Sequence, residues 1–142
     1  MSNFDRLMSV AIDLNKANRN EQLRQLMPAP RYAYEYCTVQ LDVGRGVGKS
    51  EYINFHADDN DLILVHHRDA VQWFKLNGHE HVMTWEEFKW GTVGKDLRGR
   101  FETVWVDEPV LTLGSYGNLV GVFDLTAPQA DFTETTYILL GK

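Results

Sequence analysis

The sequence predicts a three-layer α/β domain: a mostly parallel sheet of about five strands, helices on both faces, and two short helices ahead of it. Three observations carry that expectation. Strand-like and helix-like runs alternate from residue 32 onward. The strand-like runs are continuous in apolar residues rather than alternating, as in strands covered on both faces. And 142 residues, 44% apolar and 24% charged, suffice for one domain with its own core and leave no room for a second catalytic domain.

The elements follow in order. Phe4, Leu7, Met8, Ala11 and Leu14 recur at helical spacing, so Phe4 to Lys16 reads as an amphipathic helix. Glu21 to Met27 gives a further turn or two, and Pro28 with Pro30 is expected to end the helical region, making residues 1–30 a helical extension and 33–142 the core. From Tyr32 the run YAYEYCTVQLD is aromatic and β-branched and predicts a strand that stops at Gly44, Gly46 and Gly48. Residues after Lys49 predict a helix, and LILVHH a strand after the polar turn DDND. Strand, glycine loop, helix and strand make a βαβ unit, which places its two strands parallel in one sheet. Thr103 to Val106, Leu119 to Phe123 and Tyr137 to Leu140 predict three more strands, and Asp69 to Leu76 and Thr84 to Trp90 two helices, the second capped by Thr84.

Composition narrows the function classes. A net charge of −6 opposes nonspecific nucleic-acid binding by the whole surface, so any such contact must be local, and Lys95, Arg98 and Arg100 form the best local cluster. No apolar run approaches the roughly 18 to 20 residues of a membrane helix, and the charged N-terminus is unlike a signal peptide; a soluble, cytoplasmic protein without membrane contact is expected. The single cysteine, Cys37, permits no intramolecular disulfide and reads as a packed thiol.

The strongest chemical signal is Gly44-Arg45-Gly46-Val47-Gly48-Lys49-Ser50 between a predicted strand and a predicted helix. A polyphosphate needs inward-pointing backbone N–H groups, glycines to permit the wrap, an ammonium on the terminal phosphates, and a hydroxyl on Mg²⁺. Each is present, although the regular G-x-x-x-x-G-K-[ST] pattern has Val43 where it wants glycine. The second signal is Val104-Trp105-Val106-Asp107-Glu108, an apolar strand ending in two acids. At the carboxyl end of a parallel strand, Asp107 can reach a Mg²⁺ shell beside Ser50, and Glu108 can polarise a water against the γ-phosphate.

These residues resemble the Walker A and Walker B motifs of P-loop NTPases of the additional-strand, catalytic-glutamate class, over roughly residues 33 to 142. GRGVGKS is similar to the GRGSGKS of large terminase subunits, the ATP-driven DNA-packaging motors of tailed phages. LRGRFETVWVDE resembles their habit of placing Arg-Gly before the Walker B strand, and VFDLTAP their coupling motif. The resemblance implies ATP as substrate, phosphate binding by Gly44 to Ser50, Mg²⁺ at Ser50 and Asp107, and Glu108 as general base. It also implies Arg45 as a finger in cis, with Lys49 on the phosphates, and Thr126 as a γ-phosphate sensor. The expected function is Mg²⁺-dependent ATP hydrolysis coupled to a DNA or protein partner or to a homo-oligomer, in a phage-encoded protein of the host cytoplasm. Two alternatives stand beside it: a non-hydrolysing regulatory module, which the missing nuclease domain and Val43 favour, and a small phosphotransferase with Arg98-Gly99-Arg100 as its lid.

The remaining constellations are structural. His66-His67 and His79-x-His81 lack a metal-ligand pattern. Asp58, Asp59 and Asp61 lack the glycine and closing glutamate of a calcium loop. Trp73, Phe74, Trp85, Phe88 and Trp90 have the spacing of helix faces packed on a sheet, while Gln22 or Gln25 is a weaker candidate for adenine contact.

Overall fold

Ser2 opens the first helix. Its hydroxyl accepts from Asp5 N at 3.1 Å while the Asp5 carboxylate accepts from Ser2 N at 3.3 Å, a capping box that starts α1 (Asn3–Ala17). The computed structural model describes residues 2–44 and 47–142. Phe4 and Met8 of α1 are buried in the core, so this helix is built into one face of the sheet.

After α2 (Glu21–Leu26), capped by Asn20, comes a departure from the sequence reading. Pro28 and Pro30 do not end the helical region. They start α3 (Ala29–Tyr36), because a proline in a first helical turn lacks only an N–H that would have no partner there anyway. The run YAYEY is therefore helical, with Tyr32 and Ala33 buried and Tyr32 stacked on Tyr36 one turn later at 5.1 Å between ring centres. The amphipathic face outweighs the strand preference of the aromatics, and β1 is only Thr38–Leu41.

The other elements are α4 (Lys49–His56), β2 (Leu62–Val65), α5 (Arg68–Leu76), β3 (Val82–Thr84), α6 (Trp85–Gly91), β4 (Thr103–Asp107), α7 (Pro109–Leu113), α8 (Tyr116–Thr126) and β5 (Thr136–Leu140). The five strands are all parallel, in the order β1-β5-β4-β2-β3. Thr84 caps α6 with a capping box to Glu87, as its spacing predicts. The expected strand at Leu119–Phe123 is instead the middle of α8, whose N-terminus is fixed by Ser115 accepting from Asn118 N at 3.2 Å. A short apolar run in a buried position satisfies either geometry, and only the cap distinguishes them. The fifth strand is β3, three residues that carry no periodic signal of their own.

Alternation along the strands makes the layers. Leu62, Leu64, Val104, Val106, Tyr137 and Leu139 face α3, α6 and α8. Ile63, Val65, Trp105, Ile138 and Leu140 face α1, α4 and α5. Both faces are covered, which is why the strands read as continuous apolar runs. Asp61, in the DDND turn, is buried and accepts from Trp105 Nε1 at 3.1 Å, Thr103 N at 3.2 Å and Asp58 N at 3.1 Å, pinning the start of β2 to β4. Burial pushes its carboxyl up, and the bond from Trp105 opposes this. Cys37 is buried at the end of α3, its thiol pushed up to about 12, chiefly by burial. Among the described residues, no helix is long and apolar enough to cross a membrane.

Candidate functional site

The carboxyl ends of β1 and β4 lie on the same rim of the sheet, with β5 between them. Beyond β1, Gly44 takes a positive φ of 92° and donates its N–H to Asp42 Oδ1 at 3.3 Å. Arg45 and Gly46 lie outside the described residues, and with them the expected arginine finger. The described residues continue from Val47. Gly48, at φ 87° and ψ 33°, is the N-cap of α4, a left-handed position that L side chains adopt only under strain. That turn sets Lys49 and Ser50 in the first turn of α4, facing β4.

On β4, Asp107 ends the strand and Glu108 leaves it at φ 50°, the one described non-glycine residue with positive φ. The turn is held from both sides. Glu108 N donates to Leu140 O at 2.8 Å, Thr112 N to Glu108 O at 2.9 Å, and the Thr112 hydroxyl to Asp107 O. A strained residue so thoroughly fixed marks a place where side-chain direction matters.

Two contacts join the motifs. Lys49 Nζ donates to Glu108 Oε1 at 2.6 Å across 59 residues of sequence. Ser50 Oγ donates to Asp107 Oδ2 at 2.8 Å across 57. The four side chains line an open cleft of about 540 Å³, completed by Gly48, Glu51 and Leu111. The Asp107 carboxyl is pushed above its ordinary range, first by burial; the Ser50 bond and the Lys49 charge oppose this, while Glu108 and Glu51 add to it. A carboxylate burdened by burial and two acidic neighbours is one whose charged form a cation would favour. Ser50 Oγ and Asp107 Oδ2 are hard oxygen donors side by side on the cleft wall, and so fit the magnesium ion that the motifs imply.

The other expected site residues are elsewhere. Thr126 is fully buried in the last turn of α8, its hydroxyl bonded to Val122 O at 2.6 Å and Tyr137 Oη at 2.8 Å. It follows a helix rather than a strand, and Tyr137 belongs to the entry half of β5, so the structure does not bring Thr126 to the cleft. Lys95, Arg98 and Arg100 are exposed on the segment leading into β4, at the opposite rim. Arg98 is paired there with Asp96 at 3.0 Å, Lys95 and Arg100 line a different hollow from Arg98, and from that rim the three do not close over Lys49. Gln25 shares the Arg98 hollow. His79 Nε2 contacts Asn54, and the exposed His66 has its Nδ1 3.1 Å from Leu111 O. Asp58, Asp61 and Glu102 cluster near that same opposite rim, but Asp61's oxygens are taken by the three N–H donors already described.

Sequence reasoning missed Gly141 and Lys142. Gly141 N donates to Leu41 O at 2.8 Å, and Lys142 N donates to Glu108 Oε2 at 3.3 Å, placing both beside the acid pair. A lone glycine after a strand carries no pattern that would have singled it out. Compared with protein-family models and with curated protein sequences, the chain matches none.

Proposed function

We propose that this chain binds and hydrolyses a nucleoside triphosphate, ATP in the first instance, with Mg²⁺ held by Ser50 and Asp107. One observation carries the reading: Lys49 with Glu108 and Ser50 with Asp107, each pair far apart in sequence, meet on the wall of a single cleft at the carboxyl rim of a parallel sheet. The strand order supports it further, since β5 lies between the strand that leads into the glycine loop and the strand that ends in the acids, the arrangement the name additional-strand describes. The finer expectation, a terminase-like ATPase of phage origin coupled to DNA or to a protein partner, rests on the sequence motifs.

The residues divide the work. Lys49, one-tenth exposed and poised at the mouth of α4, moves its ammonium from Glu108 to the β- and γ-phosphate oxygens when nucleotide enters. Backbone N–H groups at the start of α4 face the same anion. Bound at Ser50 and Asp107, the metal supplies charge neutralisation on the phosphates. Released from Lys49, the Glu108 carboxylate is free to orient a water and take its proton as the water oxygen bonds to the γ-phosphorus and the bond to the diphosphate breaks.

A second reading, nucleotide binding without turnover, is favoured by the same ion pair, because a glutamate that stays on Lys49 cannot serve as base. A phosphotransferase is less well supported, since its expected lid lies at the opposite rim. The test is phosphate release from ATP and GTP, with and without DNA, on wild type, Lys49→Ala and Glu108→Gln. Hydrolysis that Lys49→Ala abolishes, and that Glu108→Gln lowers about a hundredfold or more to a measurable residual rate while leaving binding intact, bears out the proposal. Hydrolysis at the wild-type rate in Glu108→Gln overturns the base assignment, and tight binding without turnover in wild type selects the second reading.

A further inference from the structure

We infer that Gly141 is the positioning residue for the Glu108 carboxylate: only a residue without a side chain leaves room for Glu108 to lie across the end of β5 and meet Lys49. This rests on the reading of Glu108 as the base. Among the described glycines of positive φ, Gly141 alone has no room for a Cβ: at Gly48 the nearest atom would be Glu51 Oε2 at 3.9 Å and at Gly99 Pro128 Cβ at 3.3 Å. Gly44, Gly78, Gly94 and Gly114 share its positive φ, yet a Cβ at any of them would meet nothing within 4 Å. Turn geometry alone accounts for those four. A Cβ at Gly141 would stand 2.5 Å from Glu108 Oε2, 2.6 Å from Cδ and 2.8 Å from Oε1, inside the carboxylate itself.

The surroundings leave the carboxylate one seat. Glu108 departs from β4 in the left-handed conformation, with its backbone tied to Leu140, so its side chain folds back over the residue that follows Leu140. Lys142 N donates to one carboxylate oxygen at 3.3 Å and Lys49 Nζ to the other at 2.6 Å. Gly141 is itself fixed from the far side, its N–H on Leu41 O at 2.8 Å, and Lys142 O accepts from Val110 N at 2.6 Å. The floor under Glu108 is therefore held by β1 and by α7, the elements that flank the cleft. Because the clashing atoms are the free end of a flexible side chain, an added Cβ displaces the carboxylate toward solvent and leaves the sheet in place.

The experiment has one arm without nucleotide and one with it. In the first, the Tm losses of Lys49→Met, Glu108→Gln and the double variant are compared in the wild-type and Gly141→Ala backgrounds. In wild type the double variant loses less than the sum of the singles by about 3 °C or more, the mark of the ion pair. In the Gly141→Ala background this non-additivity vanishes; the strain of an L residue at φ 102° is common to every member of that cycle and cancels. In the second arm, Gly141→Ala lowers kcat at least tenfold with KM and nucleotide affinity within twofold of wild type, and has no further effect once Glu108→Gln is present. Gly141→Asn, whose side chain best tolerates positive φ, repeats both arms should the alanine variant fold poorly. A non-additivity that survives in both Gly141 variants overturns the inference, as does a kcat loss that persists undiminished in Glu108→Gln. If wild type shows no turnover, the reading of Glu108 as base fails, and the nucleotide-free arm still decides whether Gly141 places its carboxylate.

Discussion

Replacing Lys49 with methionine removes the one described positive charge from a cleft it shares with the carboxyls of Glu51, Asp107 and Glu108 and keeps the length of the side chain, so its effect on the ligand-free protein can be worked out. At 2.6 Å the ammonium and the Glu108 carboxylate attract by about 1.6 kcal/mol if screened as in water, and by about 6 kcal/mol at an effective dielectric near 20. Most of the larger figure is offset by taking an ammonium, only 10% exposed, out of solvent, and the 32% exposure of Glu108 screens the pair further. A net loss of about 1–2 kcal/mol remains, or about 3–8 °C in Tm for a domain of this size. The loss depends on pH. Lys49 partly offsets the upward push on Asp107, so its removal drives that carboxyl higher still. A carboxyl raised in the folded state binds protons there that the unfolded chain has already released, so stability falls as pH rises from the unfolded value of about 3.9 through the folded one. The Tm difference between Lys49→Met and wild type is thus small near pH 3.5 and widens toward pH 7. Paired thermal melts across that range measure it; a difference that is absent, or constant with pH, would refute the reasoning that these side chains form one electrostatic unit.

Ser50→Ala removes a hydrogen bond that favours ionised Asp107, so its carboxyl rises further and the Tm deficit of this variant also grows with pH, while Mg²⁺-dependent nucleotide affinity drops about tenfold or more in fluorescence titrations. Asp61→Ala leaves Trp105 Nε1 and two backbone N–H groups without their acceptor inside the fold, and urea unfolding reports a loss of about 2–4 kcal/mol with nucleotide affinity preserved. Thr126→Val removes the hydroxyl between Val122 O and Tyr137 Oη and costs about 1–2 kcal/mol in the same assay, while turnover stays within twofold of wild type. A loss of turnover without a loss of stability would restore the sensor role.

Several elements were legible because one local signal and the tertiary environment agree. The helix at Lys49, the strand at Thr103 and the cap at Thr84 each carry a pattern that the packed structure satisfies unchanged. The pairing of Lys49 and Ser50 with Glu108 and Asp107 was legible for the same reason, since a parallel βαβ unit has one rim where such groups can converge. Tyr32 to Tyr36 and Leu119 to Phe123 were misread because β-branched and aromatic content expresses burial as readily as strand. Thr126 was misplaced as a consequence, its motif depending on a strand that is a helix. Gly141 was invisible, because its significance lies in the backbone geometry of Glu108, 33 positions away on the neighbouring strand.

The order of the sheet bears on how this chain is made. β1 and β4 touch no common neighbour except β5, the strand translated after all the others. Before Thr136–Leu140 is in place, β4, β2 and β3 can already zip together, but β1 has no strand to pair with. Thr136–Leu140 slots between the two halves like a keystone, and its pairing with both is what holds Lys49 and Glu108 in register.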